Sequence, residues 1–167
     1  MSTSLRWLRR LVPALLVAVV TLGVVGCELF PATTPAATGT VRVARIIDGD
    51  TIVISTGQHV RYIGIDTPEM TPAPEPFAKA ATEANRQLVE GKAVRLEKDV
   101  SETDRYGRLL RYVWVDGTMV NQELVRRGLA QAKAYPPDTR YQLLLEATEA
   151  EARLAGRGIW AATTVAP

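Results

Sequence analysis

Residues 48–69 read DGDTIVISTGQHVRYIGIDTPE, and the way this stretch folds decides how the rest of the chain is read. TIVIS (51–55) and HVRYIGI (59–65) are β-branched, alternating runs, and Thr56-Gly57 between them is a turn signal. That pattern predicts a β-hairpin. Hairpin pairing would bring Asp48 and Asp50 back beside Asp66 and Glu69, with Arg61 on the strand between them. Several carboxylates facing one arginine make a place for a hard cation and a phosphate.

Working outward, TVRVARII (40–47) sets Val41, Val43 and Ile46 against Arg42 and Arg45 and predicts a preceding strand, so three strands run as a meander. Residues 67–76 hold Pro68, Pro72, Pro74 and Pro76 and predict an irregular loop beside the acids. A helix follows over 77–90, with Ala80, Ala81, Ala84 and Leu88 on one face and Gly91 as its stop. AVRLEKD (93–99) and RLLRYVWV (108–115) predict two more strands. A short helix over 120–127 turns Val120, Leu124 and Val125 inward. A longer helix, capped by Asp138 and reaching Ala155, is expected to bury Leu143, Ala147, Ala150 and Leu154. Five strands interrupted by one helix after the third predict a five-stranded OB-type β-barrel with about three helices (α+β), and the short spacings argue against βαβ crossovers.

The chain has 167 residues, and its N-terminal part reads differently from the rest. Arg6, Arg9 and Arg10 precede an apolar run over 11–25 that is too short for a permanent membrane span and ends in VVGC (24–27). This reads as a signal peptide over 1–26 with a lipobox, in which Cys27, the single cysteine, would be acylated. Residues 27–39 read as a lipidated tether, 40–162 as one folded domain and 163–167 as a tail. An exported protein, held by its lipid on a membrane and facing the periplasm or the cell exterior, is the expectation. Without the leader, 17 basic residues face 18 acidic ones, which excludes a bulk polycation coating nucleic acid. Phosphate recognition has to come from a few placed arginines.

The residue inventory narrows the chemistry further. His59 is the only histidine, which argues against zinc centres and Ser-His-Asp triads, and the lone cysteine leaves no thiol for catalysis. Asp50 and Asp66, with a backbone carbonyl from Thr67, would suit an oxygen-loving cation such as Ca²⁺. Glu69 would orient or deprotonate a water, and Arg61 and Arg108 would hold phosphate oxygens and stabilise added negative charge. Each piece alone has a plain alternative as a turn or a strand end. An acidic cation site, a base and two guanidiniums together predict a phosphodiesterase.

IDGDT (47–51), RYIGIDTPE (61–69), DRYGR (104–108), VNQELVRRGLA (120–130) and GIW (158–160) follow one another in a pattern that resembles the staphylococcal-nuclease, or thermonuclease, family over about 120 residues. The resemblance implies an OB-fold barrel that hydrolyses DNA and RNA with Ca²⁺, preferring single-stranded or denatured substrate, as a monomer. It implies Asp50, Asp66 and the Thr67 carbonyl as calcium ligands, Glu69 as general base, and Arg61 and Arg108 on the phosphate. Arg105 and Tyr106 match the positions that contact a terminal phosphate, with Arg105 in place of a lysine. KAYPP (133–137) lacks a clear pair of base-stacking tyrosines, although Tyr135 can stand in for one. The alternative is a non-catalytic nucleic-acid or protein binding module of the same fold, which would tolerate eroded acids or arginines. Here all six positions are intact.

Overall fold

The hairpin forms from two short strands, β2 (Thr51–Ile54) and β3 (His59–Tyr62), with Thr51 opposite Arg61 and Val53 opposite His59. The structure is a computed structural model that describes residues 39–164; the leader, Cys27 and nearly all of the tether lie outside the described residues. β1 (Val41–Ile46) pairs with β2, with a bulge between Val43 and Arg45, and on its other edge with β5 (Ala93–Glu97). β6 (Leu109–Val115) runs antiparallel to β5 and to the short β7 (Thr118–Met119), and parallel to β3, Val60 opposite Leu109 and Tyr62 opposite Arg111. The order β3-β2-β1-β5-β6 therefore returns to β3, and the expected five-stranded OB-type barrel is closed. Closure leaves these strands no free edge to pair with another chain.

The barrel interior is filled by Ile52, Ile54, Val60, Tyr62, Val94 and Val113, while buried Tyr112 points the other way and meets the Tyr141 ring edge-on at 4.7 Å. Asn121, also fully buried, stitches the closure: its Oδ1 accepts the Val113 amide at 2.9 Å and its Nδ2 donates to the Ile63 carbonyl at 2.9 Å. It lies on α2 (Val120–Arg126), where Val120, Leu124 and Val125 face inward as expected. α1 (Ala78–Val89) buries Ala78, Ala81, Ala84, Asn85 and Val89, while Ala80, expected inside, is exposed.

Three further expectations are corrected. The run 59–65 is not one strand. It breaks at Gly64, whose φ of 77° is left-handed, and restarts as β4 (Ile65–Asp66), which leaves the barrel to pair with β8 (Gln131–Ala132). A Cβ on Gly64 would stand 2.6 Å from Leu145 Cδ1, so glycine serves both the bend and the contact.

α3 (Gln142–Leu154) is rotated by about half a turn from its expected face. Leu145, Thr148 and Ala152 are buried, whereas Leu143 and Leu154 are 83% and 89% exposed. Thr148 can point inward because its hydroxyl is satisfied, donating to the Leu144 carbonyl at 2.8 Å and accepting from Gln122 Nε2 at 3.1 Å. Asp138 does not cap this helix, which has no side-chain cap. Its buried carboxylate instead accepts the amides of Val100 at 2.9 Å and Ser101 at 2.7 Å. A 3-10 helix (Gly158–Thr164) ends the described chain, the Ile159 amide donating to the Gly128 carbonyl at 2.8 Å.

Candidate active site

The Asp48-Gly49-Asp50 turn is held from three sides. Asp48 Oδ1 accepts the Asp50 amide at 3.0 Å, the amide of Tyr62 donates to the Asp50 carbonyl at 2.9 Å, and Asn85 Nδ2 from α1 donates to the Asp48 carbonyl at 3.0 Å. Asn85 in turn accepts the Tyr62 hydroxyl at 2.8 Å, so the two ends of the turn close into one ring of hydrogen bonds. Gly49 is required by approach rather than by φ: a Cβ there would come within 2.8 Å of three side-chain atoms of Thr67. That approach lets Thr67 give both its amide, at 2.9 Å, and its hydroxyl, at 3.0 Å, to Asp50 Oδ2.

The carboxylates of Asp50 and Asp66 meet on a single guanidinium. Arg61 Nη2 donates to Asp66 Oδ1 at 2.8 Å, and Arg61 Nη1 is in charge contact with Asp50 Oδ1. Asp66 Oδ2 is taken by the Lys133 ammonium at 2.7 Å. Among the described residues no three His, Cys, Asp or Glu side chains cluster as metal ligands. The donors are instead two carboxylates with Thr67 beside them. Both carboxylates face one guanidinium, Asp50 at Nη1 and Asp66 at Nη2, and oxygen donors of this kind would suit a hard divalent cation. Burial pushes the Asp48 carboxyl above the ordinary carboxylate range, against the pull of Arg61.

On the barrel flank, the turn 104–108 is organised by Asp104. Its Oδ1 accepts the amides of Tyr106 at 2.9 Å and Arg108 at 3.0 Å, and its Oδ2 accepts Arg108 Nε at 2.7 Å. Partial burial pushes the Asp104 carboxyl up, but hydrogen bonds from the Arg108 side chain and from both amides outweigh it and hold it below the ordinary range. Held by Nε, Arg108 keeps its outer nitrogens for an anion. Tyr106 is 68% exposed, with the guanidinium carbons of Arg105 and Arg108 at 4.8 Å and 5.5 Å from its ring centre.

Arg61, Arg105, Tyr106, Arg108 and Tyr135 line one cleft of about 400 Å³. A neighbouring cleft of about 390 Å³ is lined by Asp66, Thr67, Glu69 and Glu75. The structure thus gathers Asp50, Asp66, Thr67 and Arg61 at one point and adds Arg105, Tyr106 and Arg108 through the first cleft. Glu69 shares only the second, exposed on the proline-rich loop, and its carboxylate makes no ion pair among the described residues. Glu75 ties that loop back: Glu69 N donates to Glu75 Oε2 at 2.9 Å, and Glu75 N donates to the Glu69 carbonyl at 2.9 Å.

Sequence reasoning missed Asp104, Asn85 and Lys133. Asp104 had a signal, an aspartate opening a turn that reaches Gly107, whose φ is 77°. For Asn85 and Lys133 no local signal exists, since both act across long sequence separations.

Fold and site together define an OB-type barrel carrying an acid–arginine centre suited to phosphate esters. Within that class, the chain belongs to the staphylococcal nuclease homologues, whose family model matches residues 59–162. It is 43% identical over 125 residues to a thermonuclease of Staphylococcus intermedius, covering 71% of this chain and 74% of the relative. It is 41% identical over 128 residues to a thermonuclease of Staphylococcus hyicus, covering 72% and 75%. To the endonuclease YncB of Bacillus subtilis (strain 168) it is 42% identical over 129 residues, covering 72% and 61%.

Proposed function

We propose that the protein is a Ca²⁺-dependent nuclease that hydrolyses phosphodiester bonds in DNA and RNA. Nuclease chemistry rests on family membership. The finer reading rests on one observation above others: Asp50 and Asp66 converge on Arg61, which also lines the cleft carrying Arg105, Tyr106 and Arg108. That arrangement supports a cation position beside a phosphate position.

Asp50, Asp66 and the carbonyl of Thr67 would hold the cation. A bound divalent cation supplies Lewis-acid polarisation of a phosphoryl oxygen. The protein's own groups do the rest. Arg61 and Arg108 grip the non-bridging oxygens and strengthen that grip as negative charge grows at phosphorus. Glu69, on the open loop, takes the proton from the attacking water. Arg105 and Tyr106 contact a flanking phosphate, and Tyr135 offers an aromatic face on which an unpaired base can stack, which favours denatured nucleic acid.

The enzyme acts as a monomer, exported by its leader and held on a membrane through acylated Cys27, with residues 27–39 as the tether. Among the described residues no helix is long and apolar enough to cross a membrane.

The test uses the purified full chain with denatured DNA and with RNA. Hydrolysis is expected with Ca²⁺ and is expected to stop with a chelator. Glu69→Gln and Arg108→Ala should each remove most turnover while leaving the circular dichroism spectrum unchanged. A wild-type chain inert with Ca²⁺, Mg²⁺ and Mn²⁺ would replace this reading with a binding module of the same fold. Mass measurement on the membrane fraction tests the anchor, and an unmodified Cys27 would refute it.

A further inference from the structure

One cation at the site has no part in the mechanism above. Lys133 follows β8 directly, and its amide donates to the Gly64 carbonyl at 2.9 Å, continuing the ladder in which Asp66 pairs with Gln131. The register that aims Asp66 out of the barrel therefore also fixes where the Lys133 side chain starts. From there its ammonium reaches Asp66 Oδ2 at 2.7 Å, while Arg61 holds Oδ1 at 2.8 Å. The two bases divide the carboxylate between them, on unequal terms. The Arg61 side chain is 13% exposed and contacts Asp50 as well, whereas that of Lys133 is 52% exposed and has only a flexible stem behind it. The Lys133 ammonium also stands 5.5 Å from the centre of the Tyr135 ring, which lines the arginine cleft.

We propose that Lys133 is an intramolecular counter-cation that competes with the divalent cation for Asp66 and thereby sets how much cation the enzyme needs. The inference rests on Asp66 being a cation ligand, as in the proposed function. A divalent ion taking Asp66 has to displace the ammonium and then tolerate its positive charge nearby, and both effects weaken binding. The pair is half-exposed, so the penalty is moderate and the lysine can swing aside. Once displaced, it remains within reach of Tyr135 on the wall where a polyanion would lie, held there by the ring face. Lys133 is thus a positioning and tuning residue. It weakens the hold on the cation and leaves a positive charge at the cleft.

Calorimetric titration of the full chain with CaCl2, in the absence of nucleic acid, tests this directly. Lys133→Met should bind Ca²⁺ roughly three- to tenfold more tightly than wild type, because an exposed ion pair and a nearby like charge are both removed. Lys133→Arg, which keeps the charge, should stay close to wild type. Equal affinities for wild type and Lys133→Met would overturn the proposal while leaving Asp66 as a ligand. Weaker binding by Lys133→Met would also overturn it, making the lysine a support for Asp66. If neither chain binds Ca²⁺, the cation assignment itself fails and the proposal falls with it. If only Lys133→Met binds, competition is supported in its strongest form.

Discussion

Replacing Asn85 by alanine tests whether the ring of hydrogen bonds behind the Asp48-Gly49-Asp50 turn holds that turn in place. Two bonds are lost, to the Tyr62 hydroxyl and to the Asp48 carbonyl. They are not equal. Tyr62 is 1% exposed, and burial pushes its hydroxyl far above the ordinary range, so it remains a donor without a partner. Orphaning such a group costs about 1–3 kcal/mol. The Asp48 carbonyl is only partly buried and water can replace the amide, so its loss adds about 1 kcal/mol or less. The sum, about 1–4 kcal/mol, is a sizeable share of the roughly 5–15 kcal/mol that stabilises a domain. Tyr62→Phe removes the shared bond from the other side and should cost about 1–3 kcal/mol. The double variant should then cost less than the sum of the singles by about 1–2 kcal/mol, since the bond can be broken only once. Urea unfolding with unchanged m-values measures all three. Calcium titration on the same variants should show weaker binding, roughly tenfold or more, because Asp50 rides on the loosened turn. Single-variant effects that add to within about 0.5 kcal/mol would refute the closed ring as the element that holds the turn.

Other outcomes follow from the same geometry. Asp104→Ala frees Arg108 Nε and both turn amides, and should lower turnover roughly 10- to 100-fold with little change in fold, measured by steady-state hydrolysis of denatured DNA. Asp138 has its carboxyl lowered from 3.8: desolvation raises it, and the bonds from Ser101 and Val100 outweigh that effect. Its contribution is therefore fully present above the ordinary value and lost as pH falls through the lowered folded one. Asp138→Asn should destabilise the chain at neutral pH and flatten the acid limb of the stability–pH curve below about pH 4, followed by thermal melts. On α3, Leu145→Ala should cost about 2–5 kcal/mol and Leu143→Gln less than about 0.5 kcal/mol in urea unfolding, the reverse of what the sequence pattern alone predicts.

The contrast on α3 shows where reading from sequence stops. The helix carries two stripes, one of Leu143, Ala147, Ala150 and Leu154 and one of Leu145, Thr148 and Ala152, and periodicity favours the more apolar. The barrel chose the other, because Leu145 fits over Gly64 and the Thr148 hydroxyl finds partners at home and on α2. The barrel strands were legible because each alternates and ends at a turn residue. The acids and arginines of the site were legible because the short motifs that carry them, IDGDT, RYIGIDTPE and DRYGR, follow one another in one recognisable order. What brings them together was not. The break at Gly64, the reach of Asn85 from α1 and the contact of Lys133 with Asp66 are all decided by packing between distant segments.

The parallel seam between β3 and β6 has a consequence for how the protein comes to life. Val60 pairs with Leu109 roughly fifty residues later, and only this long-range closure sets Arg61 and Arg108 on one cleft. Contacts of such high sequence separation carry a large loop-closure cost and are slow to form. The hairpin with its acids can form locally and early, but it lacks half the phosphate site. A nascent or partly folded chain therefore carries no assembled centre. Whatever chemistry the finished barrel performs requires this seam to be shut.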